Sequence, residues 1–310
     1  MQELASDVAR LSVLFVNTYF VGDPQDANAP WVLIDAGLPG SATALRLAAE
    51  RRFGVNRPPT AIYLTHGHYD HRGAAGDLAE LWQAPIYASH AEMPFLTGLA
   101  DYAPRDPTAG SALGFMSLLS RAFPDSGANL RPHMIPLPPA EDALPGMPGW
   151  RWVATPGHSP GQVAFFRESD RALIAGDAFA TTDLQSWTAL PLGVRAVSSP
   201  PLPFTPDWES ALTSVETLAQ LRPRLLACGH GLPMGGWATD DDVASQLRDF
   251  AAHFQPPAQG RYAHAPARPI DDAGTIPLPP APADPLPAIV GAAALGVCAA
   301  SWLARRQRDE

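Results

Sequence analysis

The chain has 310 residues, enough for one large domain or two small ones, with a net charge of −10 and only 17% charged side chains. All 21 basic residues are arginine, and no basic stripe emerges, which argues against nucleic acid as a substrate. The cysteines, Cys228 and Cys298, sit in unlike segments; this disfavours a disulfide framework and suits a reducing compartment. Met1–Arg10 lacks the charged-then-apolar order of a signal peptide, so a cytoplasmic location is expected.

In chain order, Leu11–Phe20 and Trp31–Ile34 read as strands rich in β-branched and aromatic residues, joined through Gly22-Asp23-Pro24. Ser41–Phe53 has helical apolar spacing and ends at Gly54. A short strand, Ala61–Leu64, precedes a polar loop; Ala74–Trp82 reads as helix and Pro85–Ala88 as strand. Ser111–Phe123 is amphipathic and fits either a lid over an apolar pocket or ordinary core packing. Strands are expected at Trp150–Ala154, Val163–Arg167 and Ala172–Ile174, and an irregular loop at Thr181–Phe204 is expected to shape a pocket. A helix follows to Leu221, with Thr205 as N-cap and Pro206 at its first position. Strand Arg224–Cys228 comes next. A last helix is expected from Thr239, with Asp240, Asp241 and Asp242 in its first turn. Two strand-rich halves flanked by helices predict two sheets face to face with helices outside.

The polar loop reads Thr65-His66-Gly67-His68-Tyr69-Asp70-His71. Imidazoles and a carboxylate packed so densely are costly to desolvate, and they are the ligands that zinc, iron or manganese prefer. Further chemistry-bearing residues each follow an expected strand: His158 in Thr155-Pro156-Gly157-His158-Ser159-Pro160-Gly161, Asp177 after Gly176, and His230 in Gly229-His230-Gly231. The glycines around His158 permit a tight turn. His90 could line the same pocket or serve as a hydrogen-bonded loop residue.

In this order, the His-x-His-x-Asp-His cluster followed by His, Asp and His resembles the metallo-β-lactamase fold superfamily, over roughly residues 10–250. Asn17-Thr18-Tyr19 and Asp35-Ala36-Gly37 add to the likeness. The resemblance implies an α+β fold, a four-layer αββα sandwich. It assigns His66, His68 and His158 to one metal, Asp70, His71 and His230 to a second, and Asp177 to both, with Asp35 bracing the centre. It implies two divalent ions, zinc first with iron or manganese as alternatives, and a metal-bound hydroxide attacking a small ester, thioester or lactone. Asp70 is then the catalytic proton relay. Glutamate in place of His68 marks the flavodiiron relatives, and Cys or Ser in place of Asp177 marks the dinuclear β-lactamases. The present residues are closer to glyoxalase II, lactone hydrolases and phosphodiesterase-type members. The basic recognition segment of hydroxyacylglutathione hydrolases is missing. A mononuclear iron persulfide dioxygenase of the same fold is the alternative.

Residues 1–254 are thus read as the hydrolase domain. Gln255–Pro287, with ten prolines, is read as an extended linker. Residues 288–310 form an apolar stretch with a basic end. As a helix, residues 288–304 would span about 25 Å against a hydrocarbon core of about 30 Å. A membrane anchor, a helix packed on its own domain and a helix paired with a partner all fit that length. Small residues at Ala292, Gly296 and Ala300 suit close helix packing.

Overall fold

Alternation along short strands decides the layering of this chain. Each inner strand sends one set of apolar side chains to a shared centre and the opposite set to a helical cover. The computed structural model describes residues 1–236, 242–267 and 277–293. A seven-stranded sheet runs in the order β1 (Gln2–Ala5), β2 (Val8–Val13), β3 (Val16–Val21), β4 (Val32–Ile34), β5 (Ala61–Tyr63), β6 (Ile86–Ala88) and β7 (Met134–Pro136). The second sheet has five strands: β12 (Met234–Gly235), β11 (Leu225–Ala227), β10 (Ala172–Ile174), β9 (Val163–Arg167) and β8 (Trp150–Ala154).

Tyr19, Ile34 and Tyr63 of the first sheet meet Phe165, Ile174 and Ala227 of the second in a central core. Their sequence neighbours Phe20, Leu33 and Ile62 face outward, onto α1 (Ala42–Phe53) and α3 (Ala75–Trp82). On the far side Phe166, Leu173 and Leu226 pack against α6 (Trp208–Gln220) and α7 (Val243–His253). The result is the expected αββα sandwich. The pairings β4–β5 and β5–β6 are parallel, so α1 and α3 serve as crossovers. Shorter helices are α2 (Tyr69–Arg72), α4 (Met93–Leu96) and α5 (Phe115–Ser120).

Several boundaries differ from the sequence reading. The strand expected over Leu11–Phe20 is a hairpin, β2 to β3, in register from Val8↔Val21 to Val13↔Val16. Leu14 turns the corner at φ 57° without the glycine or asparagine that usually announces such a turn. The cap of α6 is Asp207, whose carboxylate accepts from the Ser210 amide at 3.1 Å, and not Thr205. Thr205 is unavailable because its hydroxyl donates to the Pro201 carbonyl. The expected start of the last helix at Thr239 lies outside the described residues; its described part begins at Val243, capped by Asp242 through the Ser245 amide.

Between 255 and 267 the Pro-rich segment has no helix or strand, yet it lies along the domain. Tyr262 is buried in the core beneath α6 and α7 and donates to the Pro104 carbonyl. Further on, Asp284 forms a two-point ion pair with Arg121, next to α5. Residues 286–293 are helical and largely exposed, and the rest of the 288–304 stretch lies outside the described residues. Among the described residues no helix is long and apolar enough to cross a membrane.

Candidate metal centre

The strands β4, β5, β8, β10 and β11 all end at one edge of the sandwich, and each delivers a polar residue there just past its last paired position. Asp35 follows β4, His66 follows β5, His158 follows β8, Asp177 follows β10 and His230 follows β11. The short helix α2 then brings Asp70 and His71 back over the same edge, so the loop is less irregular than its sequence suggests.

All seven sequence-predicted residues converge. Three donor sets lie with their ligand atoms within 4.8 Å of one another: His66, His68 and His158; His66, His71 and Asp177; Asp70, His71 and His230. The Asp177 carboxylate is central. Its Oδ2 lies 3.1 Å from His230 Nε2, 3.4 Å from His71 Nε2 and 3.5 Å from His158 Nε2. Asp70 Oδ2 stands 3.6 Å from His230 Nε2 and 3.8 Å from His71 Nε2. His68 Nδ1 faces His158 Nε2 at 2.9 Å.

The opposite ring nitrogens are tied to the protein. His71 Nδ1 lies 2.8 Å from Asp35 Oδ2, and His230 Nδ1 lies 2.9 Å from the Phe15 carbonyl. His158 Nδ1 is 3.2 Å from the Thr205 hydroxyl, and His66 Nδ1 is 3.1 Å from that of Thr65. Asp35 sits at φ 58° and also accepts from the amide and hydroxyl of Thr65, so one carboxylate braces both ends of the loop. Such backbone strain is tolerated where surroundings over-determine it.

Burial sets the electrostatics. It pushes the imidazoles of His66 and His68 well below their usual range, helped by neighbouring imidazoles, and takes His158 down to about 3. These three rings are therefore neutral, the form that binds cations. Burial opposes ionisation of Asp177, but His230 and His71 outweigh it and hold that carboxyl well below its usual range. For His71 and His230 burial is likewise outweighed, chiefly by Asp177, and both are raised. Asp70 is raised by burial.

Does this donor set fit metal ions? The Nε2 atoms of His66 and His71 and the Oδ1 of Asp177 are buried without any hydrogen-bond partner. A folded chain rarely leaves several such atoms orphaned together, since each costs about 1–3 kcal/mol. Neutral imidazoles and carboxylates aimed at a common point satisfy a divalent cation, and the residues fit.

A small pocket opens beside the cluster, walled by Tyr69, Met116, Phe123, Pro124, Pro201 and Phe204. Phe123 stacks against Phe15 and Phe204, with ring centroids 5.9 and 5.8 Å away, and meets Tyr69 at a tilt with centroids 4.7 Å apart. Met116 and Phe123 thus make the amphipathic stretch a pocket wall, and Pro201 and Phe204 come from the loop expected to shape it. Trp187, by contrast, stands outside, against Phe115. Among the described residues no arginine lines the pocket.

His90 is exposed and takes no part. Two further residues belong to the surroundings of the site, Thr205, which the sequence offers only as a helix cap, and Glu92, which it does not single out. Thr205 supports His158, as above. Glu92 is fully buried and accepts four hydrogen bonds near the histidine loops. Its burial raises the carboxyl, opposed by those donors.

The metallo-beta-lactamase superfamily description matches residues 11–230. Among curated proteins, the "Probable metallo-hydrolase YflN" of Bacillus subtilis is 40% identical over 234 residues, covering 76% of this chain and 87% of that protein. The "Probable metallo-hydrolase YybB" of the same organism is 28% identical over 217 residues, covering 70% and 80%. Among solved structures, the BLEG-1 B3 metallo-beta-lactamase superposes with a TM-score of 0.52 at 24% identity, over 78% of this chain and 96% of that one. The Rm3 metallo-beta-lactamase gives 0.53 at 22%, over 81% and 89%. At these identities the structural likeness concerns the fold alone.

Proposed function

We propose that this chain, which belongs to the metallo-beta-lactamase superfamily and is a metal-dependent hydrolase, works through a centre of two divalent ions on a small, neutral ester, thioester or lactone. The observation that carries the reading is the set of three overlapping donor triads. On this reading His66, His68 and His158 would hold one ion, Asp70, His71 and His230 would hold the other, and Asp177, which lies near His158, His71 and His230, would serve both. The imidazole and carboxylate donors suit zinc best, with iron and manganese compatible. Bound there, such ions supply Lewis acidity, polarising the scissile bond and bringing the pKa of a water towards about 7.

The remaining work falls to the protein. Asp70 lines the pocket beside His230 and His71. That suits it to take a proton from the attacking water and return it to the leaving group. Among the described residues neither serine nor cysteine lines the pocket, which favours direct attack by water over a covalent intermediate. The aromatic wall holds an apolar group against the centre and excludes bulk water. Among the described residues no side-chain cation lines the pocket, so an anionic group would find only the ions themselves to pair with, whereas a neutral ester, thioester or lactone needs no further partner.

The test is turnover of metal-quantified protein against esters, thioesters, lactones and phosphodiesters. Hydrolysis of one or more of the first three, abolished by His66→Ala, is expected. Phosphodiester cleavage alone, or oxygen uptake with a persulfide on one iron per chain, would replace this reading.

A further inference from the structure

We infer that Glu92 is a positioning residue that fixes the spacing between the two loops carrying His66, His68 and His158, and thereby sets the affinity of the metal position those histidines form. The inference rests on the metal-centre reading above. Glu92 is 0% exposed and is not part of the pocket wall, so it has no route to substrate. Its two oxygens are divided between the two loops. Oε2 accepts from the Gly67 amide at 3.0 Å, between His66 and His68, and from the Tyr102 hydroxyl. Oε1 accepts from the Ser159 hydroxyl at 2.7 Å, directly after His158, and from the Gly161 amide at 2.8 Å. One carboxylate therefore joins segments that are some ninety residues apart, where His68 and His158 meet at 2.9 Å.

The backbone shows the same clamping. A Cβ on Gly67 would overlap the Tyr102 hydroxyl and lie 2.7 Å from Leu96 Cδ2. A Cβ on Gly161 would overlap the Ser89 hydroxyl and lie 2.6 Å from the Glu92 amide nitrogen. The segment Ser89–Tyr102 is thus wedged between the two loops with no room to spare, and glycine at both positions lets the loops close on it. The other donor set is braced differently: His71 by Asp35 and His230 by the Phe15 carbonyl. Glu92 makes no hydrogen bond to either. Loss of its carboxylate must therefore act on one metal position and spare the other.

Glu92→Gln is the sharpest variant. The amide keeps the shape but replaces an acceptor by a donor, which must then face a backbone N–H on one of the loops. The experiment strips metal from the full-length protein and refills it with Co(II), following the visible spectrum and competition with a chelating dye. Wild type takes up two equivalents. In Glu92→Gln one equivalent is weakened about 10- to 100-fold, the range found when partners of metal ligands are removed. The second equivalent keeps its wild-type affinity and the circular dichroism is unchanged. Tyr102→Phe and Ser159→Ala, which each remove one donor, weaken the same equivalent by less. If Glu92→Gln fails to fold, these two variants carry the test alone. Wild-type affinity and spectrum at both equivalents would overturn the inference, as would equal weakening of both, the mark of a general loss of stability. Absence of Co(II) binding by the wild type would overturn the metal-centre reading along with it.

Discussion

The hydroxyls that touch the imidazoles settle which ring nitrogen is free. Thr205 donates to the Pro201 carbonyl at 2.9 Å, so it must accept from His158 Nδ1, leaving Nε2 with its lone pair towards the cluster. Thr65 donates to Asp35 and accepts from His66 Nδ1 by the same logic. His230 and His71 are turned the same way, by a carbonyl and a carboxylate. His66 and His158 are thus pre-set with Nε2 free before any ion arrives, which lowers the ordering cost of binding, while His71 and His230, raised by Asp177, release their Nε2 protons as an ion enters. Asp35 has the widest reach, since it orients His71 directly and His66 through Thr65. Asp35→Asn, which keeps the size but loses the charge, is expected to weaken metal binding about 10- to 100-fold, read by chelator competition. An unchanged affinity would mean that the brace is dispensable. The seven clustered residues were legible in the sequence because each sits in a short motif just past, or a few residues beyond, a recognisable strand. Thr205 and Glu92 were not. Their partners lie 47 residues away for Thr205 and 25 and 67 for Glu92, and nothing local in Pro-Phe-Thr-Pro or Ala-Glu-Met announces them.

At the scale of elements, what escaped the sequence reading follows from turn and cap chemistry. The β2–β3 corner uses Leu14-Phe15, residues of high strand propensity, so the alternating pattern ran straight through the turn. Its consequence reaches the site: the corner places the Phe15 carbonyl on His230 and the Phe15 ring 5.9 Å from that of Phe123. For α6, Thr205-Pro206 looked like a start signal, but the Thr205 hydroxyl was already engaged and Asp207 took the cap. The buried strands, the crossovers and the amphipathic helices were readable because burial imposes a regular pattern. The stretch at 111–123 was ambiguous, since a lid facing an apolar pocket and a helix facing a core have the same periodicity. In the fold it is a wall of the pocket, and Phe123 is its most connected ring. Phe123→Ala should therefore raise KM for an apolar substrate several-fold while leaving metal content intact, measured by steady-state kinetics beside metal analysis. A fall in bound metal would place Phe123 in support of the centre instead.

Taken whole, the molecule is a sandwich whose two sheets each contribute to one edge. The first sheet supplies Asp35 and the His66–His71 loop; the second supplies His158, Asp177 and His230. The interlock runs through Asn17, whose side-chain amide donates to the carbonyls of Cys228 and Gly231 at 2.9 and 2.7 Å, binding β3 to the loop after β11. Among the described residues of the Pro-rich segment, Tyr262 is buried in the core beneath α6 and α7 and Asp284 pairs with Arg121. Because the donors come from both sheets, the centre exists only in the folded chain, and bound metal should stabilise the whole fold by linkage. The most direct measurement is metal content together with activity: elemental analysis of the full-length protein, then hydrolysis of a neutral ester, thioester or lactone before and after chelation. The prediction is two divalent ions per chain, activity lost on chelation and restored by adding two equivalents. One ion per chain at full activity, or hydrolysis that survives complete removal of metal, would contradict it.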